Sequence, residues 1–110
     1  KADVNGNVQI GRRRELATLA HASKKVFVTV EECVEEDFFE NEVKASATLP
    51  ALHVDGIAES KNGAWPCGLN GKYEPDYEEL KTYAFAARNQ NSFESYMKGF
   101  LNSENLQAAQ

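Results

Sequence analysis

The sequence predicts an α/β protein in which two or three strands pack with three helices. Residues 26–30 form an unbroken run of β-branched and aromatic side chains, a pattern typical of a strand buried on both faces. A helical pattern precedes this run, and two more helical patterns close the chain. We expect the 110 residues to form a single domain. Residues 102–110 are polar and are predicted to fray.

The first part of the chain predicts a turn, a short strand and a helix. Residues 5–7 read Asn-Gly-Asn, and both residue types tolerate positive φ in turns. Val8 and Ile10 have the alternation of a short strand. Apolar and small residues then recur at helical spacing and predict an amphipathic helix over residues 14–23, at Leu16, Leu19, Ala20 and Ser23. The buried strand of residues 26–30 follows this helix.

The middle of the chain has weaker signals. Residues 31–49 are acidic and lack a clear period, so we expect a long excursion with one helical turn at most. Leu52, Val54 and Ile57 predict a second strand, with a bulge where Gly56 breaks the alternation. Residues 62–71 are rich in glycine and predict a loop.

Two helices are predicted near the C-terminus. Asp76 and Glu79 have the spacing of a capping box, which places a helix start between them. A second helix is predicted to begin near Asn91, with Glu94 as the third residue of its cap. Its apolar stripe follows the i, i+3, i+4, i+7, i+8 pattern at Phe93, Tyr96, Met97, Phe100 and Leu101.

Composition excludes several classes of protein. No apolar run approaches the ~20 residues that a membrane span requires, and the net charge of -5 disfavours nucleic acid as a partner. Cys33 and Cys67 lack the number and spacing of a zinc site or a disulfide framework. We therefore expect two reduced thiols in a cytoplasmic protein with no metal site.

Charge is unevenly distributed along the chain. The net charge is +4 over residues 1–30 and -7 over residues 31–42, the latter segment holding seven carboxylates and no base. Two blocks of opposite charge so close in sequence either face one another or face different partners.

Five segments in order carry a resemblance to a known family. They resemble the C-terminal part of the α-type subunit of family I CoA-transferases, and the glutaconate CoA-transferase α-type subunit is the nearest type. The likeness runs to about Leu101. The segments are Ala-Asp-Val-Asn-Gly-Asn-Val at residues 2–8, Ala-Ser-Lys-Lys-Val-Phe-Val-Thr-Val-Glu-Glu at 22–32, Leu-Pro-Ala-Leu-His-Val-Asp at 49–55, Gly-Ala-Trp-Pro at 63–66 and Gly-Lys-Tyr-Glu-Pro-Asp at 71–76.

The resemblance implies part of a three-layer α/β/α fold with a mainly parallel sheet. It also implies an enzyme that moves CoA from an acyl-CoA thioester to a carboxylic acid through a glutamyl-CoA intermediate. In this family the nucleophilic glutamate lies in a Ser-Glu-Asn-Gly motif of the β-type subunit. That motif is absent here, as is the α-type Gly-Gly-Phe signature. The chain alone is therefore predicted to be inactive, with no catalytic residue of its own.

The implied assembly is a hetero-oligomer with a β-type subunit. CoA enters it as a substrate, and no covalently bound cofactor is expected. Candidate substrate contacts are Trp65 and Asn70 in the glycine-rich loop and Glu31 at the carboxyl end of the first long strand. A run of arginines is a candidate contact for an anion, at Arg12, Arg13 and Arg14.

Most of the candidate residues have a structural alternative. Trp65 suits a subunit interface, where aromatic residues are enriched. Glu31 and the three arginines suit a solvated surface, where single charges contribute little. His21 and His53 have no evident nucleophile or metal-ligand partner in the sequence, so we expect both to be structural.

Two other functions stay open. Some members of the same superfamily hydrolyse acyl-CoA thioesters, and nothing in this sequence separates them from transferases. The other alternative is that the chain is not part of an enzyme but a non-catalytic interaction module. Its partner surfaces would be the Phe38-Phe39 segment and the stripe from Phe93 to Leu101.

Overall fold

The computed structural model describes residues 1–102 and has mixed α/β content with short strands. The chain divides into two compact units, residues 1–61 and residues 62–110. The prediction of a frayed tail falls almost wholly on residues 103–110, which lie outside the described residues. No helix within residues 1–102 is long and apolar enough to cross a membrane.

The first unit contains two two-stranded sheets and two α-helices. Strand β1 (Val8–Gln9) pairs antiparallel with β3 (Thr48–Leu49), and β2 (Phe27–Val30) pairs parallel with β4 (Gly56–Glu59). Helix α1 (Arg14–Ala22) precedes β2, and the one-turn helix α2 (Glu42–Ala45) precedes β3. The buried core of this unit consists of Ala2, Val8, Ala20, Val30 and Leu49.

The prediction that β2 is buried on both faces is wrong within this chain. Val30 is 6% exposed and Val28 packs against the core, whereas Phe27 is 78% exposed. Alternation explains the difference, because successive side chains of a strand point to opposite faces. The inward face meets the core that α1 helps to form through Ala20, and the opposite face is uncovered.

The segment from residue 31 to residue 49 is more ordered than its sequence pattern indicates. A 3₁₀ helix spans Phe38–Glu40, with Phe38 only 3% exposed, and α2 and β3 follow it. Both helices begin at side-chain caps, since Asp37 accepts a hydrogen bond from Phe39 N and Asn41 accepts one from Lys44 N. Both helices are too short to show a hydrophobic periodicity. Their capping residues are therefore the only feature of the sequence that indicates them.

The second predicted strand begins later than expected. Residues Ala51–His53 form a 3₁₀ helix, so the predicted strand does not include Leu52 or Val54 and begins at Gly56. Gly56 is not a bulge, because it pairs in register with Phe27. A Cβ atom at Gly56 would lie 3.0 Å from Cδ1 of Phe27, so the close approach of that ring accounts for the glycine.

The second unit consists of a loop followed by two helices. Helix α3 (Tyr77–Ala86) begins at Asp76, whose side chain accepts from Glu79 N, which confirms the predicted cap. Helix α4 (Gln90–Asn102) is capped by Asn89, which accepts from Ser92 N, and not by Asn91 as predicted. The predicted stripe is half-buried in α4 except at its end, where Leu101 is 59% exposed.

Candidate functional site

The predicted site residues are distributed between the two units. In the first unit, Glu31 is half-buried directly after β2, and Arg12, Arg13 and Arg14 are exposed at the start of α1. In the second unit, Trp65 is half-buried and Asn70 is exposed in the same loop. No hydrogen bond or ring contact joins Trp65 to Asn70 among the described residues.

The arginines do not pair with the acidic block. None of the three guanidinium groups forms an ion pair with a residue in the described part of the chain. The acidic block instead pairs with lysines, through Lys1 to Glu32 at 2.9 Å and through Lys44 to Glu36. The two charge blocks therefore meet through the pair of Lys1 with Glu32, whereas the three arginines form no ion pair with the acidic block among residues 1–102.

Asp3 organises the most constrained polar site of the first unit. Its residue is 6% exposed, and its carboxylate accepts hydrogen bonds from Asn5 N at 3.0 Å and from Asn7 N and Nδ2 at 2.8 Å each. Phe38 N, 35 residues further along, donates to the same carboxylate at 3.0 Å. The Asp3 side chain thus ties the N-terminal turn to the start of the 3₁₀ helix.

Opposing effects determine the pKa of Asp3. Burial opposes ionisation, but hydrogen bonds from Phe38, Asn7 and Asn5 together outweigh it and hold the pKa of Asp3 below its ordinary value. The ionised form is the one that can accept all of these bonds. Asn7 extends the network, because its Oδ1 accepts from Ala51 N at 2.9 Å.

Two more carboxylates fix the ends of the parallel pair. Asp55 accepts hydrogen bonds from Val26 N at 2.8 Å and from Lys25 Nζ at 2.9 Å. Both bonds hold the pKa of Asp55 below its usual range, and the bond from Val26 N has the larger effect. At the other end, Glu59 accepts from Cys33 N at 2.9 Å. The chain segment that carries Glu31 is therefore held between β2 and this contact.

The loop of the second unit is anchored by its tryptophan. The Trp65 indole N–H donates to Asp76 at 3.2 Å, and its ring stacks on Phe100 with centroids 6.0 Å apart. Asp76 also caps α3. The hydrogen bond from the Glu79 N–H, and to a smaller extent the one from the Trp65 indole, lower the pKa of Asp76. Tyr73 accepts from Ala64 N at 3.0 Å through its hydroxyl oxygen. Trp65 therefore links the loop to both helices.

A shallow open depression of about 550 Å³ lies on the first unit. Its lining is mostly acidic and includes none of the predicted site residues: Val4, Glu35, Glu36, Asp37, Glu40, Asn41 and Lys44. Both cysteines are free and exposed. Within residues 1–102, no group of three or more His, Cys, Asp or Glu side chains has the arrangement to hold a metal ion.

Tyr96 gives a spectroscopic test of the packing between α3 and α4. Its hydroxyl donates to Glu79 at 2.5 Å, and this bond, with burial and the nearby charge, raises the pKa of Tyr96 to about 12. We expect an absorbance titration to show one of the four tyrosines ionising last, at about pH 12. Because the folded pKa lies above the ordinary value of about 10, the bond stabilises the protein below pH ~10 and is lost as the pH rises towards 12.

Two variants control this titration. Tyr96→Phe is expected to remove the late step, whereas Tyr77→Phe, at a tyrosine that is 64% exposed, is expected to leave it in place. A late step that persists in Tyr96→Phe would show that the bond to Glu79 does not form.

The sequence pattern missed the residues that the structure constrains most. In the sequence pattern, Asn7 belongs to a turn, Glu79 to a cap and Tyr96 to an apolar stripe, and Asp3 stands out only within the resembling segment of residues 2–8. The spacing of Asp3 and Asn7 around Gly6 was the available signal, because Asp and Asn side chains bond to nearby backbone in turns. Their partners Phe38 and Ala51 are too distant in sequence to be found this way.

Comparison with known proteins gives a distant relative. An uncharacterised protein from Archaeoglobus fulgidus is 30% identical over 102 residues, which cover 92% of this chain and 23% of that protein. The chain thus spans about a quarter of the length of the relative that it matches. No family model and no solved structure match the chain.

Proposed function

We propose that this chain is the C-terminal portion of the α-type subunit of a CoA-transferase. The whole enzyme would move CoA between an acyl-CoA thioester and a carboxylic acid, through a glutamyl-CoA intermediate whose glutamate belongs to a β-type partner. One observation carries the proposal: within each unit, the segments that resemble the family are hydrogen-bonded to one another.

In the first unit, three such segments form one connected network. Ala2 N donates to Glu32 O at 3.0 Å, which joins the first segment to the second. Val8 pairs with Leu49, which joins the first to the third. Val26 N donates to Asp55 at 2.8 Å, which joins the second to the third.

The two segments of the second unit are joined in the same way. Ala64 N donates to the Tyr73 hydroxyl at 3.0 Å, and Asp76 N donates to Pro66 O at 2.9 Å. The Trp65 indole adds a third bond, to Asp76. Residues that resemble a family because they maintain its fold would be linked in this way, and this supports the assignment of the fold.

The uncovered face of β2 supports the three-layer architecture in particular. Parallel strands are normally covered on both faces, because their crossover helices lie on either side of the sheet. Here the core covers the face of Val28 and Val30, while Phe27 is 78% exposed. We propose that a further layer from the rest of the enzyme covers Phe27.

The proposed roles of the site residues follow from their chemistry. Trp65 presents an aromatic face, Asn70 an exposed amide and Glu31 a carboxylate after β2, and each is proposed as a substrate contact. The arginines, which are unpaired with described residues, are proposed to contact the phosphates of CoA or carboxylates of the partner. The catalytic residue lies in the partner, and the assembly is a cytoplasmic hetero-oligomer.

The first test is the coding region on the 5′ side of the Lys1 codon, together with the neighbouring frame. The proposal expects the Gly-Gly-Phe signature upstream and Ser-Glu-Asn-Gly in the neighbour. A shared fold does not by itself establish shared chemistry, so an assay must follow.

The assay combines the product of that extended frame with the product of its neighbour. We expect CoA transfer from an acyl-CoA to a panel of free carboxylic acids, and none from either product alone. The intermediate is expected to be trapped as a modified glutamate in the partner. Release of free thiol without an acid acceptor would identify a hydrolase instead, and the absence of both activities would overturn the enzyme assignment.

A further inference from the structure

We propose that His21 and His53 together bind one divalent transition-metal ion of the class that favours imidazole, such as Zn²⁺ or Ni²⁺. His21 lies in the last turn of α1, and His53 ends the 3₁₀ helix Ala51–His53. The two rings meet edge to face, with centroids 5.6 Å apart and an angle of 80° between their planes. These are the chain's two histidines.

The separation of the rings fits a shared ion. Metal–nitrogen distances to histidine are about 2.1 Å, so two rings on one ion have centres at most roughly 6.5 Å apart. A linear arrangement gives that upper value, and a bent one gives less. The observed 5.6 Å lies within that limit, so rotation of the two side chains can bring one nitrogen of each ring to a shared tetrahedral or octahedral ion, with water at its other positions.

The ring nitrogens are available for ligation. Neither imidazole makes a hydrogen bond or an ion pair with a residue that the structure describes, so no competing bond has to be broken. The proposed site has two protein ligands. It is therefore compatible with the finding that residues 1–102 contain no metal-binding group of three or more such side chains. It is an open site, with its remaining positions left to water.

The backbone positions of both histidines are fixed by the core. His21 follows Ala20, which is 8% exposed, and His53 precedes Val54, which packs against the same buried cluster. The Val54 N–H donates to Ala51 O at 2.9 Å, which closes the 3₁₀ turn. Binding would therefore require rotation of the two side chains without movement of the segments that carry them, and this lowers its entropic cost.

Calorimetric titration with ZnCl₂ and with NiCl₂ in chelator-free buffer tests the proposal. Both exposed cysteines are first replaced, as Cys33→Ser and Cys67→Ser, because thiolates are strong zinc ligands. We expect one ion per chain, with at least a tenfold loss of affinity in His21→Ala and in His53→Ala. At a hundredfold excess of metal over its Kd, the ratio of folded to unfolded chain is expected to rise about a hundredfold.

Several outcomes would overturn the site. They are the lack of saturable binding at millimolar metal, or an affinity that neither single variant changes. Two ions per parent chain and one per single variant, all at the same affinity, would show independent imidazoles and not a shared ion. Lys24→Ala serves as the matched control, since it removes an exposed side chain just after α1 and is expected to leave the affinity unchanged.

Discussion

Asp3→Ala is expected to lower the free energy of unfolding by about 3–5 kcal/mol, because each buried donor left without an acceptor costs about 1–3 kcal/mol. The substitution removes the acceptor for the N–H groups of Asn7 and Phe38, both of which are buried residues. It also releases the Asn7 amide, which otherwise holds Ala51 N. Urea denaturation followed by circular dichroism measures the loss.

Two further variants separate the charge from the bulk of the side chain. Asp3→Asn keeps the shape but has one acceptor oxygen, so we expect an intermediate loss. Glu35→Ala removes an exposed carboxylate of the same chain and is expected to change stability by less than about 0.5 kcal/mol. If Asp3→Ala and Glu35→Ala unfold at the same urea concentration, the network around Asp3 does not stabilise the fold.

The same carboxylate makes stability depend on acid pH. The pKa of Asp3 is lowered in the folded state, so its contribution is complete above the unfolded value of about 3.9 and is lost as the pH falls through the folded value. Asp55 and Asp76 are shifted in the same direction. We therefore expect stability to fall below about pH 4, and Asp3→Asn should make this fall less steep.

Local patterns predicted the helices of this chain well. The i, i+3, i+4 spacing located α1 to within one residue, since Ser23 is the residue that follows its end. The cap at Asp76 was predicted from two side chains three residues apart, and the structure contains that hydrogen bond. Such features depend on neighbours within one or two turns, so a sequence displays them directly.

Features that depend on distant residues could not be predicted in this way. Gly56 reads as a bulge until its strand partner is known, and only the pairing with Phe27 shows why the position lacks a side chain. The exposed face of β2 depends equally on what else packs there, because a sequence gives alternation but not the number of layers. Among the candidate residues, Trp65 shows the same limit, since its partners are Phe100 and Asp76.

Gly68→Ala is expected to disrupt the loop that carries Trp65 and Asn70. A Cβ atom at Gly68 would lie 2.7 Å from Cδ of Pro75, 2.8 Å from its N, and 2.9 Å from the carbonyl oxygen of Tyr73. Two of these atoms are backbone and cannot rotate away, so the turn that joins Leu69 to Tyr73 must open or shift. Overpacking of this kind costs about 1–3 kcal/mol.

The chain offers both a reporter and a control for this substitution. Trp65 is the chain's one tryptophan, so its fluorescence reports on this loop alone, and we expect a red-shifted emission in Gly68→Ala as the indole separates from Phe100. Gly99→Ala lies in α4 with open space around its Cβ, and it is expected to stabilise the helix by about 0.8–1 kcal/mol. Unchanged emission in Gly68→Ala would mean that the loop tolerates the methyl group. Gly68 would then not be needed to position Trp65. The stacking of Trp65 on Phe100 of α4 would be left as the contact that holds the indole in place for substrate binding.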